Sequence, residues 1–199
     1  MEPDDTTLQF DQHGNLRHLL SLRGMGARLL TDLLDEAEQY LTAPGELPAR
    51  SKSLAGRTVG NLFFEPSTRT RASFDLAGRR LGADVLNLDV NTSSRKKGES
   101  ILDTIYTLEA MHVDIMVVRD AENGVPAYIA RNVKDHISVL NAGESDVSHP
   151  TQGLLDLLTI RQHNPDFHNL VVAIVGDIQH SRVARSASEA LAIMGVGEL

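Results

Sequence analysis

The sequence predicts an α/β fold, in which helices flank a parallel sheet, followed by the start of a second α/β domain. From Arg57 onward, short apolar runs alternate with segments of helical periodicity. The short runs, such as "LVVAIVGDI", are apolar at consecutive positions, which is typical of parallel strands buried on both faces. Polar side chains follow each run, and ligands of open parallel sheets bind at the carboxyl ends of the strands. These three observations indicate a sheet with a ligand site along one edge.

The individual elements follow from the same patterns in chain order. The first is a helix at residues 26–41, where leucines recur at helical spacing ahead of a loop rich in Pro, Gly and Ser. Strands are predicted at residues 57–64, 83–90, 114–119, 137–142 and 170–178. Further helices are predicted at residues 67–81, 100–113, 125–133, 150–163 and 182–195. Gly82 suits the end of one helix and Pro150 the first turn of another.

The last strand and helix indicate a second domain. The run at 170–178 needs neighbouring strands to take its backbone hydrogen bonds, and only one helix follows it in this sequence. We therefore expect a first domain at residues 1–149, a connecting helix at 150–168 and an incomplete second domain at 169–199. The sequence is then expected to be a piece of a longer protein.

Composition excludes several classes of function. The 199 residues include no cysteine, which excludes disulfides, thiol catalysis and cysteine-ligated zinc within the chain. Lys and Arg number 19 against 27 Asp and Glu, and the net charge of −8 disfavours nucleic acid or an anionic membrane as partner. The chain has no 18-residue apolar run and no basic and apolar signal-peptide blocks, so a cytoplasmic protein is expected.

The stretch "FFEPSTRTRASF" at 63–74 concentrates donor groups directly after a predicted strand. Ser67 is a plausible N-cap, and the free N–H groups and dipole of a helix start favour an anion. Arg69 adds a bidentate fork suited to phosphate, and Thr68 and Thr70 add hydroxyl groups. A capped helix start without a ligand is also common. The pattern nevertheless favours phosphate or a phosphate-bearing substrate.

The other predicted strands also deliver polar side chains at their carboxyl ends. These are Ser93 and Lys97 after the second strand, Arg119 ending the third, His149 and Gln152 after the fourth, and Arg182 after the fifth. Singly, a lysine in a loop, a packed histidine or a first-turn arginine needs no function. Their shared edge favours one anionic ligand site. The chain has no GxxxxGK[ST] or HExxH motif, so a P-loop and that type of zinc-protease site are excluded.

Taken together, these residues resemble the transcarbamoylase family. "STRTR" after the first strand and "HPTQ" after the fourth are similar to its carbamoyl-phosphate signatures, in the family's order and separation. The loop "KKGES" resembles that of the aspartate-specific members, whereas ornithine-specific members usually lack this lysine. The resemblance extends from about residue 16 to the end of the sequence. The later aspartate-binding loops of the family are missing from it.

The resemblance implies a role for each matching residue. Phosphate is held by Ser67, Thr68, Arg69 and Thr70, the carbamoyl oxygen is faced by Thr70, Arg119 and His149, and the carbamoyl amide is contacted by Gln152. Aspartate is bound by Lys97 and Arg182, while Ser93 and Lys97 reach the site of a neighbouring subunit. Of these, Arg69, Thr70, Arg119 and His149 are the expected catalytic residues.

The family's reaction transfers the carbamoyl group of carbamoyl phosphate to the amino group of L-aspartate, an early step of pyrimidine biosynthesis. The resemblance implies a homotrimer of catalytic chains, with regulatory or dihydroorotase-like chains as possible further partners. No metal or organic cofactor is expected. Two alternatives stay open, an ornithine-type carbamoyltransferase and a fragment that binds phosphate or assembles without catalysis.

Overall fold

The computed structural model describes residues 5–89 and 100–199 and divides into two compact units. The first unit comprises the described residues of Met1–Leu20 and Arg50–Ser145. The second comprises Ser21–Ala49 and Asp146–Leu199. Each unit is therefore assembled from segments that are distant in sequence. The predicted functional boundaries at residues 149 and 168 stay a prediction.

The helices and strands agree with the predicted ones to within a few residues, apart from the last strand. In chain order they are a 3₁₀ helix at Asp5–Gln9, α1 Ala27–Glu38, β1 Thr58–Phe63, α2 Thr68–Arg80, β2 Asp84–Asp89, α3 Ile101–Ala110, β3 Ile115–Asp120, α4 Val125–Asn132, β4 Ser138–Glu144, α5 Pro150–His163, a 3₁₀ turn at Phe167–Asn169 and α6 Arg182–Ile193. Within the described ranges, no helix is long and apolar enough to cross a membrane.

The first unit contains a four-stranded parallel sheet in the order β2-β1-β3-β4. This arrangement confirms the predicted α/β fold class. Phe63 at the end of β1 pairs with Arg119 of β3, and the N–H of Phe64 donates to the carbonyl oxygen of Arg119 at 2.9 Å. The register therefore places Arg119 beside the residues that follow β1.

Both faces of the sheet are buried, which explains the unbroken apolar runs. One face packs against α3 and α4 through side chains that include Leu62, Ile105, Met116, Ile129 and Val139. The opposite face carries Val59, Phe63, Val117 and Ala142, with Phe74 of α2 packed against them. The sheet thus forms the middle layer between helices, as expected for parallel strands.

The second unit is helical in its described residues. Gly153 of α5 approaches α6 so closely that a Cβ atom there would lie 2.9 Å from the carbonyl oxygen of Ser186. Glycine is required because any larger residue would displace the backbone of the neighbouring helix. Arg161 of α5 pairs with Asp35 at 2.7 Å and with Glu38 at 3.0 Å, which ties α5 to α1.

The prediction of a strand at 170–178 is wrong for this structure. The segment makes one isolated bridge, between Val171 and Glu198, and the N–H of Val172 donates to the Glu198 carbonyl oxygen at 2.9 Å. Val171 is 72% exposed and Val175 is 94% exposed. An apolar run forms a strand only where neighbouring strands take its hydrogen bonds, and the described residues offer this run a single bridge.

Candidate functional site

The turn from β1 into α2 exposes the amino end of a helix. Ser67 occupies the N-cap position with an extended backbone (φ −156°, ψ 106°), as predicted, but its side chain makes no capping hydrogen bond. The first turn of α2 contains Thr68, Arg69 and Thr70 and no acidic residue. Thr68 and Arg69 are exposed, and Ser67 and Thr70 are half-buried. The geometry suits an anion, because uncapped N–H groups, the helix dipole and a guanidinium coincide there.

Arg119 brings a second guanidinium to the same edge of the first unit. It is 7% exposed, and its Nη1 donates to the carbonyl oxygen of Ala142 on β4 at 3.3 Å. Its Nη2 donates to Oε1 of Glu65 at 3.2 Å. Glu65 immediately precedes the "PSTRT" sequence, so this carboxylate offsets the buried charge next to the start of α2. An anionic ligand of Arg119 would compete with Glu65 for the guanidinium.

His149 lies at the N-cap of α5 in the second unit and is 7% exposed. The backbone N–H of His149 donates to Oγ of the fully buried Ser186 at 2.9 Å. Its carbonyl oxygen accepts from the N–H of Gln152 at 3.0 Å and of Gly153 at 3.2 Å. The imidazole Nδ1 lies 3.3 Å from Oγ1 of Thr151. Contacts of its backbone with groups on α5 and α6 therefore fix the position of this histidine.

Gln152 and Arg182 complete the predicted residues of the second unit. Gln152, in the first turn of α5, donates from Nε2 to Oδ1 of Asp156 at 2.9 Å. Arg182 is the first residue of α6 and is half-buried. Oγ of Ser181 caps this helix by accepting from the N–H of Ala184 at 3.1 Å. The structure thus places Arg182 at a capped helix start.

The structure groups the predicted site residues by unit. Ser67, Thr68, Arg69, Thr70 and Arg119 share one edge of the first unit, while His149 and Gln152 share the start of α5 and Arg182 opens α6. Ser93 and Lys97 lie outside the described residues. Within 5–89 and 100–199, no group of three or more His, Asp or Glu side chains is arranged to hold a metal ion.

Sequence reasoning missed three residues that contact the predicted ones. Glu65 and Asp156 were detectable in principle, because one adjoins the "STRT" motif and the other lies one helical turn after Gln152. Ser186 carried no sequence signal, since its contact with His149 joins residues 37 positions apart. Only the packing of α6 against α5 shows it.

A comparison with protein families finds a match over residues 17–162. The matching family is described as "Aspartate/ornithine carbamoyltransferase, carbamoyl-P binding domain". The match covers well over half of the chain and both of the motifs described above.

Comparison with solved structures finds aspartate transcarbamoylase from Trypanosoma cruzi in several complexes. The complex with carbamoyl aspartate and phosphate is 34% identical, with a TM-score of 0.77 over 88% of this chain and 53% of that chain. The complex with carbamoyl phosphate and aspartate is 32% identical, with a TM-score of 0.78 over 97% of this chain and 57% of that chain. The present chain therefore spans somewhat more than half the length of these relatives.

Proposed function

The chain belongs to the aspartate/ornithine carbamoyltransferase family, and from that premise we propose that it is part of the catalytic chain of an aspartate carbamoyltransferase. The reaction transfers the carbamoyl group of carbamoyl phosphate to the amino group of L-aspartate. Its products are N-carbamoyl-L-aspartate and phosphate, and N-carbamoyl-L-aspartate is used in pyrimidine biosynthesis. A cytoplasmic location is part of this proposal.

The observation that carries the proposal is the anion-binding edge of the first unit. Ser67, Thr68, Arg69 and Thr70 present hydroxyl, N–H and guanidinium donors at one helix start, and the register of β3 brings Arg119 to the same edge. A phosphate dianion needs several such donors, and an arginine fork binds it bidentately. The same edge therefore suits the phosphoryl end of carbamoyl phosphate.

The reaction requires stabilisation of charge on the carbamoyl oxygen. The neutral amine attacks the carbonyl carbon, and negative charge develops on that oxygen. The carbonyl then re-forms as the C–O bond to phosphate breaks, and the proton lost by the amine leaves with the phosphate. We assign Thr70, Arg119 and His149 to this oxygen, and prepositioned donors of this kind are typically worth about 3–4 kcal/mol each. His149 acts as a hydrogen-bond donor and need not remove a proton. Holding two anionic substrates together supplies much of the remaining acceleration.

The remaining residues are assigned to the amide and to aspartate. Gln152 contacts the carbamoyl amide, and Lys97 and Arg182 bind the carboxylates of aspartate. Ser93 and Lys97 are contributed to a neighbouring subunit of a homotrimer. Regulatory or dihydroorotase-like chains are further partners in this proposal, while nucleic acid and membrane are not.

Aspartate is favoured over ornithine as the second substrate by the relatives found. Solved structures of aspartate transcarbamoylase from Trypanosoma cruzi match this chain at 30–34% identity. A non-catalytic phosphate-binding role is the other candidate, and the observation that favours it is that the donor groups suited to phosphate all belong to the first unit.

A substrate-swap assay tests the proposal. The full-length protein is supplied with carbamoyl phosphate and either L-aspartate or L-ornithine, and phosphate release and the carbamoylated product are measured. We expect turnover with aspartate and at most a background rate with ornithine. Turnover with ornithine alone would replace the proposed substrate. Carbamoyl-phosphate binding without turnover on either amine would favour the non-catalytic role.

A further inference from the structure

The side chain of Gln152 is oriented by a carboxylate one helical turn away. Nε2 of Gln152 donates to Oδ1 of Asp156 at 2.9 Å, and both residues are half-buried on α5. A carboxylate can only accept hydrogen bonds, so it selects the NH₂ end of the glutamine amide. Rotating the amide by 180° would bring two oxygens together and remove the bond. The contact therefore fixes which end of Gln152 stays available.

A glutamine at this helix position often accepts a hydrogen bond from the N–H of the N-cap residue, but in α5 another residue accepts that bond. A Gln or Glu at the third position of a helix commonly reaches back to the N–H of the N-cap residue. In α3 this happens, because Asp103 accepts from the N–H of Ser100 at 3.0 Å. In α5 the N–H of the N-cap, His149, instead donates to Oγ of Ser186. Gln152 is thereby released to bond with Asp156.

We infer that Asp156 is a positioning residue that makes Gln152 an acceptor for the NH₂ group of the substrate. The inference rests on the proposed function, in which Gln152 contacts the carbamoyl amide. With Nε2 held by Asp156, Gln152 presents Oε1, and a carbamoyl NH₂ group supplies the matching donor. An acetyl group has a methyl group at that position and supplies none. Asp156 thus determines specificity for carbamoyl phosphate over acyl phosphates that lack the amide.

The competing explanation is a bond that only stabilises the helix. Hydrogen bonds between Gln and Asp four residues apart stabilise many helices slightly without any functional role. That explanation predicts a small loss of thermal stability when Asp156 is replaced and no change in ligand preference. The preference for an amide over a methyl ketone separates the two explanations, because replacing Asp156 changes that preference only if Asp156 positions Gln152.

The test measures the affinities of two stable phosphonates that differ only in having an NH₂ or a methyl group on the carbonyl carbon. Phosphonoacetamide carries the NH₂ group of the carbamoyl moiety, and phosphonoacetone carries a methyl group in its place. Calorimetry on the full-length protein gives both affinities for the wild type, Asp156→Ala and the nearly isosteric Asp156→Asn. Glu36→Ala is the matched control, because Glu36 accepts a hydrogen bond from the Gln39 amide at 3.2 Å elsewhere in the same unit.

We expect the wild type and Glu36→Ala to prefer the amide by at least about tenfold, the usual worth of one well-placed hydrogen bond. Asp156→Ala should reduce that preference to about threefold or less by weakening amide binding alone, with Asp156→Asn intermediate. An unchanged preference in both variants would overturn the inference while leaving the proposed function standing. An equal loss for both ligands would also overturn it, since that result indicates a structural role. Failure of the wild type to bind either phosphonate would instead overturn the proposed function.

Discussion

Arg69 lies in the first turn of α2, one position after the helix begins at Thr68. A cation is ordinarily unfavourable at that end of the helix dipole, which makes an anionic ligand the natural counterpart. We expect Arg69→Ala to weaken binding of carbamoyl phosphate by about 2–4 kcal/mol, because a charge-assisted bidentate contact is lost. Calorimetry with carbamoyl phosphate measures the effect.

Arg71 provides the control for this substitution. It lies two positions later on the same helix and is also exposed, and no function is assigned to it. Arg71→Ala should leave the affinity close to that of the wild type, apart from a small loss of long-range attraction. Equal affinity of Arg69→Ala and the wild type would remove Arg69 from the site.

Glu65 shows how a residue outside the motif affects the site. Its carboxylate binds Nη2 of the buried Arg119, so the guanidinium is paired within the protein itself. Buried charges in proteins are nearly always compensated in this way, since removing one partner leaves an uncompensated charge. Arg119 is therefore held in place at the strand end by an interaction that a ligand can exchange for its own.

At the scale of elements, the segment before α1 contacts β4, the edge strand of the sheet in the first unit. The N–H of Leu19 donates to the Val139 carbonyl oxygen at 2.9 Å, and the N–H of Asn141 donates to the Leu19 carbonyl oxygen at 2.8 Å. Nδ1 of the buried His18 accepts from the N–H of Val139 at 2.9 Å. This segment therefore pairs with the edge of β4 and protects it from other strands.

Burial of the His18 side chain makes the stability of the first unit depend on pH. Burial, and to a lesser extent the charge of Arg17, lowers the pKa of His18 from 6.5 to about 4. The folded state thus favours the neutral imidazole. The contribution of neutral His18 to the free energy of unfolding is fully present above pH 6.5 and is lost as the pH falls from 6.5 towards 4. Its size is about 3 kcal/mol, from 1.36 kcal/mol for each pKa unit.

His18→Asn should flatten that pH dependence. The asparagine Oδ1 can accept from the N–H of Val139 but does not titrate in this range. Urea unfolding of both proteins at pH 7.0, 5.5 and 4.5 measures the difference in free energy of unfolding. We expect the wild type to lose more stability than His18→Asn on acidification. Parallel losses in the two proteins would show that other groups dominate the acid response.

At the scale of the whole molecule, the proposed trimer predicts that active sites are shared between subunits. Lys97→Gln and His149→Ala should each lower kcat about 10²-fold or more in the full-length protein, because Lys97 is assigned to the aspartate carboxylates and His149 to the carbamoyl oxygen. Mixed trimers of the two variants would contain some sites with both residues intact. Those hybrids should recover activity, up to about one wild-type site for each trimer.

Hybrids of verified composition provide the measurement. They are separated by a charge tag on one variant and assayed beside both parent trimers. Hybrids as inactive as both parents would exclude site sharing in this protein. Full activity of Lys97→Gln alone would make this residue an ordinary solvated lysine and remove its assignment to aspartate.

The sequence by itself determined the fold class, nearly all of the elements and the site motifs. These depend on local patterns, because helix periodicity, apolar strand runs and turn residues act over a few positions. "STRT" and "HPTQ" were recognisable for the same reason. The parallel sheet of the first unit placed Ser67 to Thr70 and Arg119 at strand ends, as a β-α alternation requires.

Only the tertiary structure decided which distant groups meet. The Glu65–Arg119 pair and the Ser186–His149 bond join residues 54 and 37 positions apart, and no local pattern encodes such contacts. The structure also showed that residues 170–178 form no strand, although their composition favours one. A strand exists only with partners to take its backbone hydrogen bonds, and the presence of partners is a property of the folded structure that the run itself does not carry.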